Sequence, residues 1–140
     1  MLHGHHLHSA DTYRVSLDGE HRVSANFRVH EFACRDGTDV LLIHRALVTG
    51  LQKIRDHFAA PVQVNSGFRT AAYNEQIGGA ENSRHLWGLA ADIVVNGVPP
   101  VTVADFAESL DFGGIGRYDT FTHVDVWGQS RRWDKTTSTQ

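Results

Sequence analysis

The sequence predicts a single α+β domain in which helices pack on one side of a small, mainly antiparallel sheet. Two observations predict this class: one segment carries apolar residues at helical spacing, and several short apolar runs are separated by turn residues such as glycine and proline. The chain has 140 residues, of which 41% are hydrophobic and 21% charged. This length and composition are typical of one globular domain.

The N-terminal part of the domain is predicted to be extended. We expect residues 13–23 to form an extended excursion or a loose hairpin around the turn residues Asp18 and Gly19, and residues 26–32 to form a second extended segment. Both segments would cover one edge of the core. The single cysteine, Cys34, excludes an intramolecular disulfide and any multi-cysteine zinc site, and it is expected to be a small buried side chain.

The strongest helix signal lies between residues 43 and 58. Its apolar residues follow the i, i+4, i+7, i+11 spacing of one helix face: Leu47, Leu51, Ile54 and Phe58. Pro61 prevents the helix from continuing. The apolar stripe predicts that this face packs against the sheet.

The second half of the chain is predicted to alternate between strands and helices. In order, these are a strand at 62–64, a helix at 70–77, a strand at 89–95, a helix at 99–110, and strands at 114–118 and 121–127. Gly78 and Gly79 would end the first of these helices, and Pro99 with Pro100 would begin the second.

A carboxylate interrupts the apolar strand predicted at residues 89–95. Asp92 lies on the opposite face from Ile93, among small or apolar neighbours. Burying this carboxylate without a partner would be costly, so it needs a cation or strong hydrogen bonds. Upstream, Gly88 permits a tight turn that would return the imidazole of His85 towards Asp92.

His123 and Asp125 share one face of the strand predicted at residues 121–127. Together with His85 and Asp92, they supply two imidazoles and a carboxylate as metal ligands, plus a further acid. This donor set suits zinc better than magnesium or calcium, and three protein ligands leave one position open for catalysis. A buried His-Asp pair that only holds a turn together is the structural alternative.

The segment from Ser83 to Asp92 has the pattern SxHxxGxAxD, and the pattern HxD follows at residue 123. Further blocks occur in order: Asn26-Phe27, Glu31-Phe32, Ser66-Gly67-Phe68-Arg69-Thr70, Tyr73-Asn74, Gly78-Gly79-Ala80, Gly114-Ile115-Gly116 and Arg132-Trp133. The sequence resembles the zinc peptidases of the D-alanyl-D-alanine carboxypeptidase and L-alanyl-D-glutamate endopeptidase group, which are related in fold to the hedgehog signalling domain. The resemblance covers residues 13–133 and is greatest to the short peptidases found as phage endolysins and in related cell-wall enzymes.

The resemblance implies one Zn²⁺ ion with three ligands: His85, Asp92 and His123. It also places Arg69 in the active site, where the guanidinium would anchor the substrate or stabilise the transition state. Further residues are expected to bind substrate: Tyr73 and Asn74, which would lie near the cleft, and Ser83, for which orienting a metal ligand or an ordinary turn role is the alternative. Phe68 stands where relatives often have tyrosine, so a hydroxyl function is absent there.

The sequence departs from the family pattern at the position of the catalytic acid-base group. Several relatives have an acid three residues before the second histidine ligand, but that position is Thr120 here and Asp119 precedes it. We predict that Asp125 accepts a proton from the attacking water, with Asp119 as the second candidate. An alternative assignment makes Asp125 the ligand and His123 the acid-base group, because both face the same side.

Four side chains near these motifs are expected to have ordinary structural or surface roles. Trp87 and Trp133 are expected to be packing residues rather than recognition residues. Arg131 and Arg132 are expected to be solvated, with contact to acidic groups of the substrate as the alternative.

The implied function is a zinc metallopeptidase that hydrolyses amide bonds in peptidoglycan stem peptides, as a D,D-carboxypeptidase or an endopeptidase. Zinc would polarise the scissile carbonyl, and Arg69 would help to stabilise the oxyanion. Two alternatives stay open: a zinc-stabilised binding module of the same fold without activity, and a cytosolic D,D-dipeptidase. We expect the protein to be a monomer.

The formal net charge of -3 argues against a nucleic-acid partner, which needs a clustered basic face. No run reaches the roughly twenty apolar residues of a membrane span, so membrane insertion is not expected. Residues 1–12, which are rich in histidine, are predicted to be a disordered tail, and residues 134–140 a polar tail, on either side of a peptidase domain at 13–133. Because no secretory signal is recognisable, we expect synthesis in the cytoplasm and phage-lysin-like release towards the cell wall.

Overall fold

The computed structural model describes residues 10–137 and confirms the predicted α+β class. The strands are β1 (Asp11–Arg14), β2 (Arg22–Ser24), β3 (Phe27–Arg28), β4 (Val40–Ile43), β5 (Val62–Ser66), β6 (Ala90–Val95), β7 (Gly114–Arg117), β8 (Thr122–Asp125) and β9 (Arg131–Asp134). The α-helices are α1 (Val15–Asp18), α2 (Arg45–Phe58), α3 (Ala71–Gln76) and α4 (Pro100–Ala107). Short 3₁₀ helices cover Val29–Phe32 and Arg84–Trp87.

Five strands form the central sheet in the order β5-β6-β8-β7-β9. Neighbouring strands are antiparallel except β7 and β9, which are parallel. The register of β6 against β8 places Asp92 directly opposite His123. Directly opposed residues have their side chains about 5 Å apart on one face, so the sheet itself brings these two groups together.

Helices α2 and α4 both pack against β6 and contact each other. The residues of β6 that belong to the hydrophobic core are Ala91, Ile93 and Val95. Asp92 alternates with them and therefore lies on the face away from these helices. One face of the sheet thus builds the core, and the other is available for polar side chains.

The long helix predicted between residues 43 and 58 is confirmed as α2. Leu47, Leu51 and Ile54 are buried, as the apolar stripe requires. The helix begins at Arg45 because Ile43 ends strand β4 and His44 caps the helix, with its Nδ1 accepting a hydrogen bond from Ala46 N–H at 3.1 Å.

The N-terminal segment differs from the predicted extended excursion or loose hairpin. Strand β1 pairs with the distant β4, and α1 follows it directly because the Asp18 carboxylate accepts a 2.8 Å hydrogen bond from Arg14 N–H. Strand β1 begins at Asp11, before the domain boundary predicted at Tyr13. The histidines of the predicted tail, at positions 3 to 8, lie outside the described residues.

The second extended segment, predicted at residues 26–32, is also only partly extended. Strand β3 ends at Arg28, and the chain then turns into the 3₁₀ helix Val29–Phe32. Glu31 stabilises this turn because its carboxylate accepts a 2.7 Å hydrogen bond from Arg28 N–H. Cys34 is buried, as predicted.

The sequence reasoning did not predict strands β4 and β9. Strand β9 has the polar sequence Arg131-Arg132-Trp133-Asp134 and is an edge strand, so it carries no apolar alternation. It extends one residue beyond the boundary predicted at 133. No helix within residues 10–137 is long and apolar enough to cross a membrane.

Candidate metal centre

His85, Asp92 and His123 form a buried cluster on the polar face of the central sheet. Their candidate ligand atoms all lie within 4.8 Å of one another. His85 comes from the 3₁₀ helix Arg84–Trp87, Asp92 from β6 and His123 from β8. The cluster lines an open cleft of about 590 Å³. The structure therefore brings the three predicted ligands together at a site that a substrate can reach.

The 3₁₀ helix that carries His85 is capped at both ends by specific residues. At its start, Ser83 Oγ accepts a 3.2 Å hydrogen bond from His85 N–H. At its end, Gly88 has φ +73, and a Cβ atom there would lie 2.5 Å from the Leu42 carbonyl oxygen. Glycine is the residue that adopts this conformation without cost and leaves room for the close approach. The chain can therefore double back so that His85 reaches Asp92.

The hydrogen bonds of the His85 ring define its tautomer. Nδ1 lies 2.7 Å from the Gly67 carbonyl oxygen, and a carbonyl only accepts, so Nδ1 carries the proton. The lone pair of Nε2 then faces Asp92, with 3.3 Å between Nε2 and Oδ1. This is the arrangement of a histidine ligand whose second nitrogen is fixed by a backbone acceptor.

The His123 ring is also fixed through one nitrogen, but the two nitrogens have exchanged roles compared with His85. Nε2 lies 2.8 Å from Asp125 Oδ2, and Nδ1 lies 2.9 Å from Asp92 Oδ1. If Nε2 donates its proton to Asp125, the Nδ1 lone pair also faces Asp92. Two imidazole lone pairs and a carboxylate then converge on one point, and a cation between them removes the repulsion.

The electrostatics of the cluster favour a charged carboxylate. Burial acts to raise the pKa of Asp92, but when the facing nitrogens of His123 and His85 carry protons instead of holding a cation, their hydrogen bonds to the carboxylate outweigh burial and hold the pKa below its usual range. Burial acts to lower the pKa of His123, but hydrogen bonds with Asp125 and Asp92 outweigh it and raise the pKa. A carboxylate with two imidazoles fits Zn²⁺, which accepts nitrogen and oxygen donors in tetrahedral sites.

Arg69 lies beside the cluster and is held by three hydrogen bonds. Its Nε donates to Ser66 Oγ at 3.0 Å, one terminal nitrogen donates to Asn74 Oδ1 at 3.0 Å, and the other donates to Asp92 Oδ2 at 3.2 Å. A guanidinium has five N–H groups, so two remain for other partners. Arg69 lines the cleft, where these two donors are available to a substrate.

Asn74 lies behind Arg69 rather than on the cleft wall. Its side chain is buried, accepts from Arg69 and donates to the Ala80 carbonyl at 2.8 Å. A Cβ at Gly79 would lie 2.1 Å from Asn74 Oδ1, so glycine leaves the space for this contact. Among the described residues that line the cleft, Ser83 is present, whereas Asn74 and Tyr73 are absent.

Asp125 is fully buried and is engaged on both oxygens. Oδ2 contacts His123, while Oδ1 accepts a 3.1 Å hydrogen bond from Trp127 N–H and a second one from Arg131. Burial acts to raise the pKa of Asp125, but the contacts with His123 and Arg131 outweigh it and lower the pKa. Asp125 therefore orients His123, and its predicted role as proton acceptor stays a prediction.

Asp119, the second candidate for the acid-base group, lies elsewhere. Its two oxygens accept from Thr137, from N–H at 2.9 Å and from Oγ1 at 2.6 Å. It lines a separate groove with Pro100 and Val101, and it is absent from the described lining of the metal cleft. The structure therefore does not bring Asp119 to the cluster.

Several cleft residues were not predicted to have a role at the site: Arg84, Tyr118, Phe121 and Lys135. Trp133 packs against His123, with 5.0 Å between ring centroids, and its Nε1 donates to Tyr118 Oη at 2.9 Å. Trp133 therefore packs against a candidate ligand while it also lines the cleft, so the prediction that it has no recognition role stays a prediction, whereas Trp87 is 57% exposed and does not pack in the core. Arg84 lies inside the SxHxxGxAxD pattern and Lys135 follows Arg131 and Arg132 in the sequence, but no motif pointed to Tyr118 or Phe121.

The fold and the buried cluster define an α+β domain with a two-histidine, one-carboxylate metal site in an open cleft. A family model described as Peptidase M15 matches residues 22–125, and the chain belongs to this family. The family predicted from the sequence blocks is thereby confirmed.

Three relatives illustrate the similarity. The chain is 42% identical over 81 residues to a probable peptidoglycan L,D-endopeptidase MepK of Haemophilus influenzae, a match that covers 53% of this chain and 43% of the relative. It is 36% identical over 78 residues to a zinc D-Ala-D-Ala carboxypeptidase of Streptomyces albus G, covering 52% and 30%. It is 34% identical over 80 residues to the peptidoglycan L,D-endopeptidase MepK of Escherichia coli K12, covering 52% and 43%. The matches thus span less than half the length of each relative.

Proposed function

We propose that the protein is a zinc-dependent peptidase that hydrolyses an amide bond in peptidoglycan stem peptides. The observation that carries this proposal is the pair of fixed histidines, His85 and His123, whose inner nitrogens converge with Asp92 at the floor of an open cleft. The family and the names of the relatives, which include two peptidoglycan endopeptidases and a zinc carboxypeptidase, support the substrate class.

His85, Asp92 and His123 would hold the ion. When bound, zinc lowers the pKa of water and polarises a carbonyl as a Lewis acid. Three protein ligands are the number typical of catalytic zinc, whereas structural zinc has four. The donor set therefore favours an enzyme over the zinc-stabilised binding module.

Arg69 would act on the substrate. Its hydrogen bonds to Ser66 and Asn74 fix the guanidinium in one orientation before substrate binds. Its two remaining N–H groups can donate to the scissile carbonyl as negative charge develops on that oxygen. Preorganised donors of this kind stabilise an oxyanion without any rearrangement during the reaction.

We keep Asp125 as the proposed acid-base group. Among the described residues that line the cleft, Asp92 and Asp125 are the carboxylates, and Asp92 is assigned to the metal. Asp125 contacts His123 on one side and lines the cleft on the other, so it is the remaining carboxylate near the reacting atoms. This role requires that an oxygen of Asp125 exchanges one of its present donors for water.

Mass spectrometry of purified peptidoglycan incubated with the zinc-loaded protein tests the proposal. We expect new fragments whose masses identify the bond, and we expect EDTA treatment to prevent their formation. His85→Ala is the matched metal-site variant and should yield no fragments. Stoichiometric zinc without fragments from several wall types would instead support the binding module. Release of D-alanine from free D-Ala-D-Ala, but not from sacculi, would support the D,D-dipeptidase.

We also propose a more specific role, in which the protein degrades the cell wall as an endolysin. It predicts that purified protein lowers the turbidity of chloroform-permeabilised bacteria, whose walls are accessible from outside. A zinc-loaded protein that cleaves isolated stem peptides but leaves such cells intact would argue for a different cell-wall role. Sedimentation of the same sample tests the predicted monomer.

A further inference from the structure

The metal cleft is cationic, although the whole chain has a formal net charge of -3. The described residues that line it include four basic side chains, Arg69, Arg84, Arg131 and Lys135, and two carboxylates, Asp92 and Asp125. A bound zinc ion would add further positive charge. A concave surface lined by charges of one sign concentrates ligands of the opposite charge. The charge distribution therefore indicates an anionic substrate.

The two carboxylates in the cleft are already paired with other groups. Asp92 contacts Arg69 and both histidines, and Asp125 contacts Arg131 and His123. Within residues 10–137, the Arg84 guanidinium makes no ion pair within 4.0 Å and donates no side-chain hydrogen bond, although the Asp125 carboxylate is near enough to attract it. Arg84 is thus a cleft cation whose donors are available to a ligand.

Arg84 is nonetheless held in place. Its Cζ lies 4.5 Å from the centroid of the Trp127 ring, so the guanidinium rests on an aromatic face. The Trp127 backbone is anchored to the site, because its N–H donates to Asp125 and its carbonyl accepts from Arg131 at 2.8 Å. This contact covers one side of the guanidinium and leaves its N–H groups available to a planar anion.

We propose that Arg84 anchors a carboxylate of the substrate and selects stem peptides that carry this carboxylate free over those in which it is amidated. The inference rests on the proposed function and names the feature of the stem peptide that the cleft recognises. A guanidinium binds a carboxylate through two parallel, charge-assisted hydrogen bonds, whereas a carboxamide offers one acceptor oxygen and no charge. A site built for charged hydrogen bonds discriminates strongly against an analogue that cannot make them.

A series of synthetic stem peptides tests the inference. Each carboxylate of the peptide is replaced in turn by a carboxamide, and the other groups are unchanged. For the wild-type protein, one replacement should lower kcat/KM by about 10- to 100-fold, mainly through KM, which is the effect of one charged hydrogen-bonding pair. Arg84→Gln should remove this preference, and Arg84→Lys should keep part of it. Arg22→Gln, at an exposed arginine outside the cleft, should behave as the wild type.

The binding of the same peptides, measured by calorimetry, separates this inference from the proposed function. If no peptide is cleaved but Arg84→Gln abolishes the carboxylate preference in Kd, the peptidase proposal fails and the anchor stands. If Arg84→Gln lowers kcat/KM for the carboxylate and carboxamide peptides by the same factor, Arg84 has only a structural role. A wild-type protein that binds all members of the series equally would also overturn the inference. Zinc content and thermal melting should be unchanged in each variant.

Discussion

His123 Nε2 lies 2.8 Å from Asp125 Oδ2, two residues further along the same strand and on the same face of the sheet. Because the other nitrogen of the ring faces Asp92, this contact decides which nitrogen of His123 can hold a metal ion. Carboxylates that accept from a histidine ligand in this way raise its basicity and fix its orientation. The HxD pattern thus provides both a ligand and the group that orients it.

Asp125→Ala should abolish hydrolysis while zinc remains bound with an affinity that is about 10- to 100-fold weaker. Hydrolysis should be lost because the proposed acid-base group is removed. Zinc should remain bound because His85, Asp92 and His123 stay in place, and its affinity should fall because the carboxylate that orients His123 is lost. Competition with a chromophoric chelator measures the affinity, and peptide hydrolysis measures the activity. Asp119→Ala is the control and should change neither. Complete loss of zinc would mean that Asp125 itself is a ligand, and unchanged activity would mean that the acid-base group lies elsewhere.

Arg69→Lys should lower kcat/KM by about 100- to 1000-fold, which is the usual effect of removing one oxyanion donor. Lysine keeps the positive charge next to Asp92, but its three N–H groups cannot donate to Ser66, Asn74, Asp92 and a substrate at once. Steady-state kinetics and zinc content should be measured together, since zinc is expected to remain bound. Arg22→Lys is the matched control. Wild-type rates in Arg69→Lys would remove Arg69 from the proposed mechanism.

Gly88→Ala should destabilise the protein by about 1–3 kcal/mol more than Gly37→Ala does. Both glycines have positive φ, +73 and +86, so both substitutions strain the backbone. A Cβ at Gly88 would also lie 2.5 Å from the Leu42 carbonyl, whereas nothing lies within 4 Å of one at Gly37. Chemical denaturation measures the difference, and the Gly88 variant should also bind zinc more weakly because His85 shifts. Equal destabilisation by both changes would refute the role of the close approach.

Asp36→Asn should reduce thermal stability at neutral pH, and the reduction should disappear in acid. Hydrogen bonds from Thr38 N–H, at 2.9 Å, and from Thr70 Oγ1, also at 2.9 Å, hold the pKa of Asp36 at about 2. Because this pKa is depressed by folding, the carboxylate contributes stability above its ordinary pKa of 3.8, and the contribution is lost as pH falls towards 2. Melting curves between pH 7 and about pH 2 measure it. Glu81→Gln, at an exposed carboxylate, is the control, and a pH-independent difference would contradict the assignment.

The sequence allowed prediction of those structural features that follow from a repeat of a few residues along a helix or strand. The apolar stripe of Leu47, Leu51 and Ile54 predicts α2 because a helix repeats its faces every few residues. Alternation along β6 and β8 likewise placed Asp92 on the polar face and His123 on the same side as Asp125. These are local properties of the backbone, and each can be read from a handful of neighbouring residues.

By itself the sequence determined the fold class, the principal helix, the strand faces that carry the cluster and, through ordered blocks, the family. Only the tertiary structure decided that β1 pairs with β4, that Asn74 supports Arg69 from behind, that Asp119 lies in another groove and that Arg84 rests on Trp127. The reason is physical: periodicity reports which face a side chain occupies, whereas hydrogen-bond partners depend on strand register and on where loops close between distant parts of the chain.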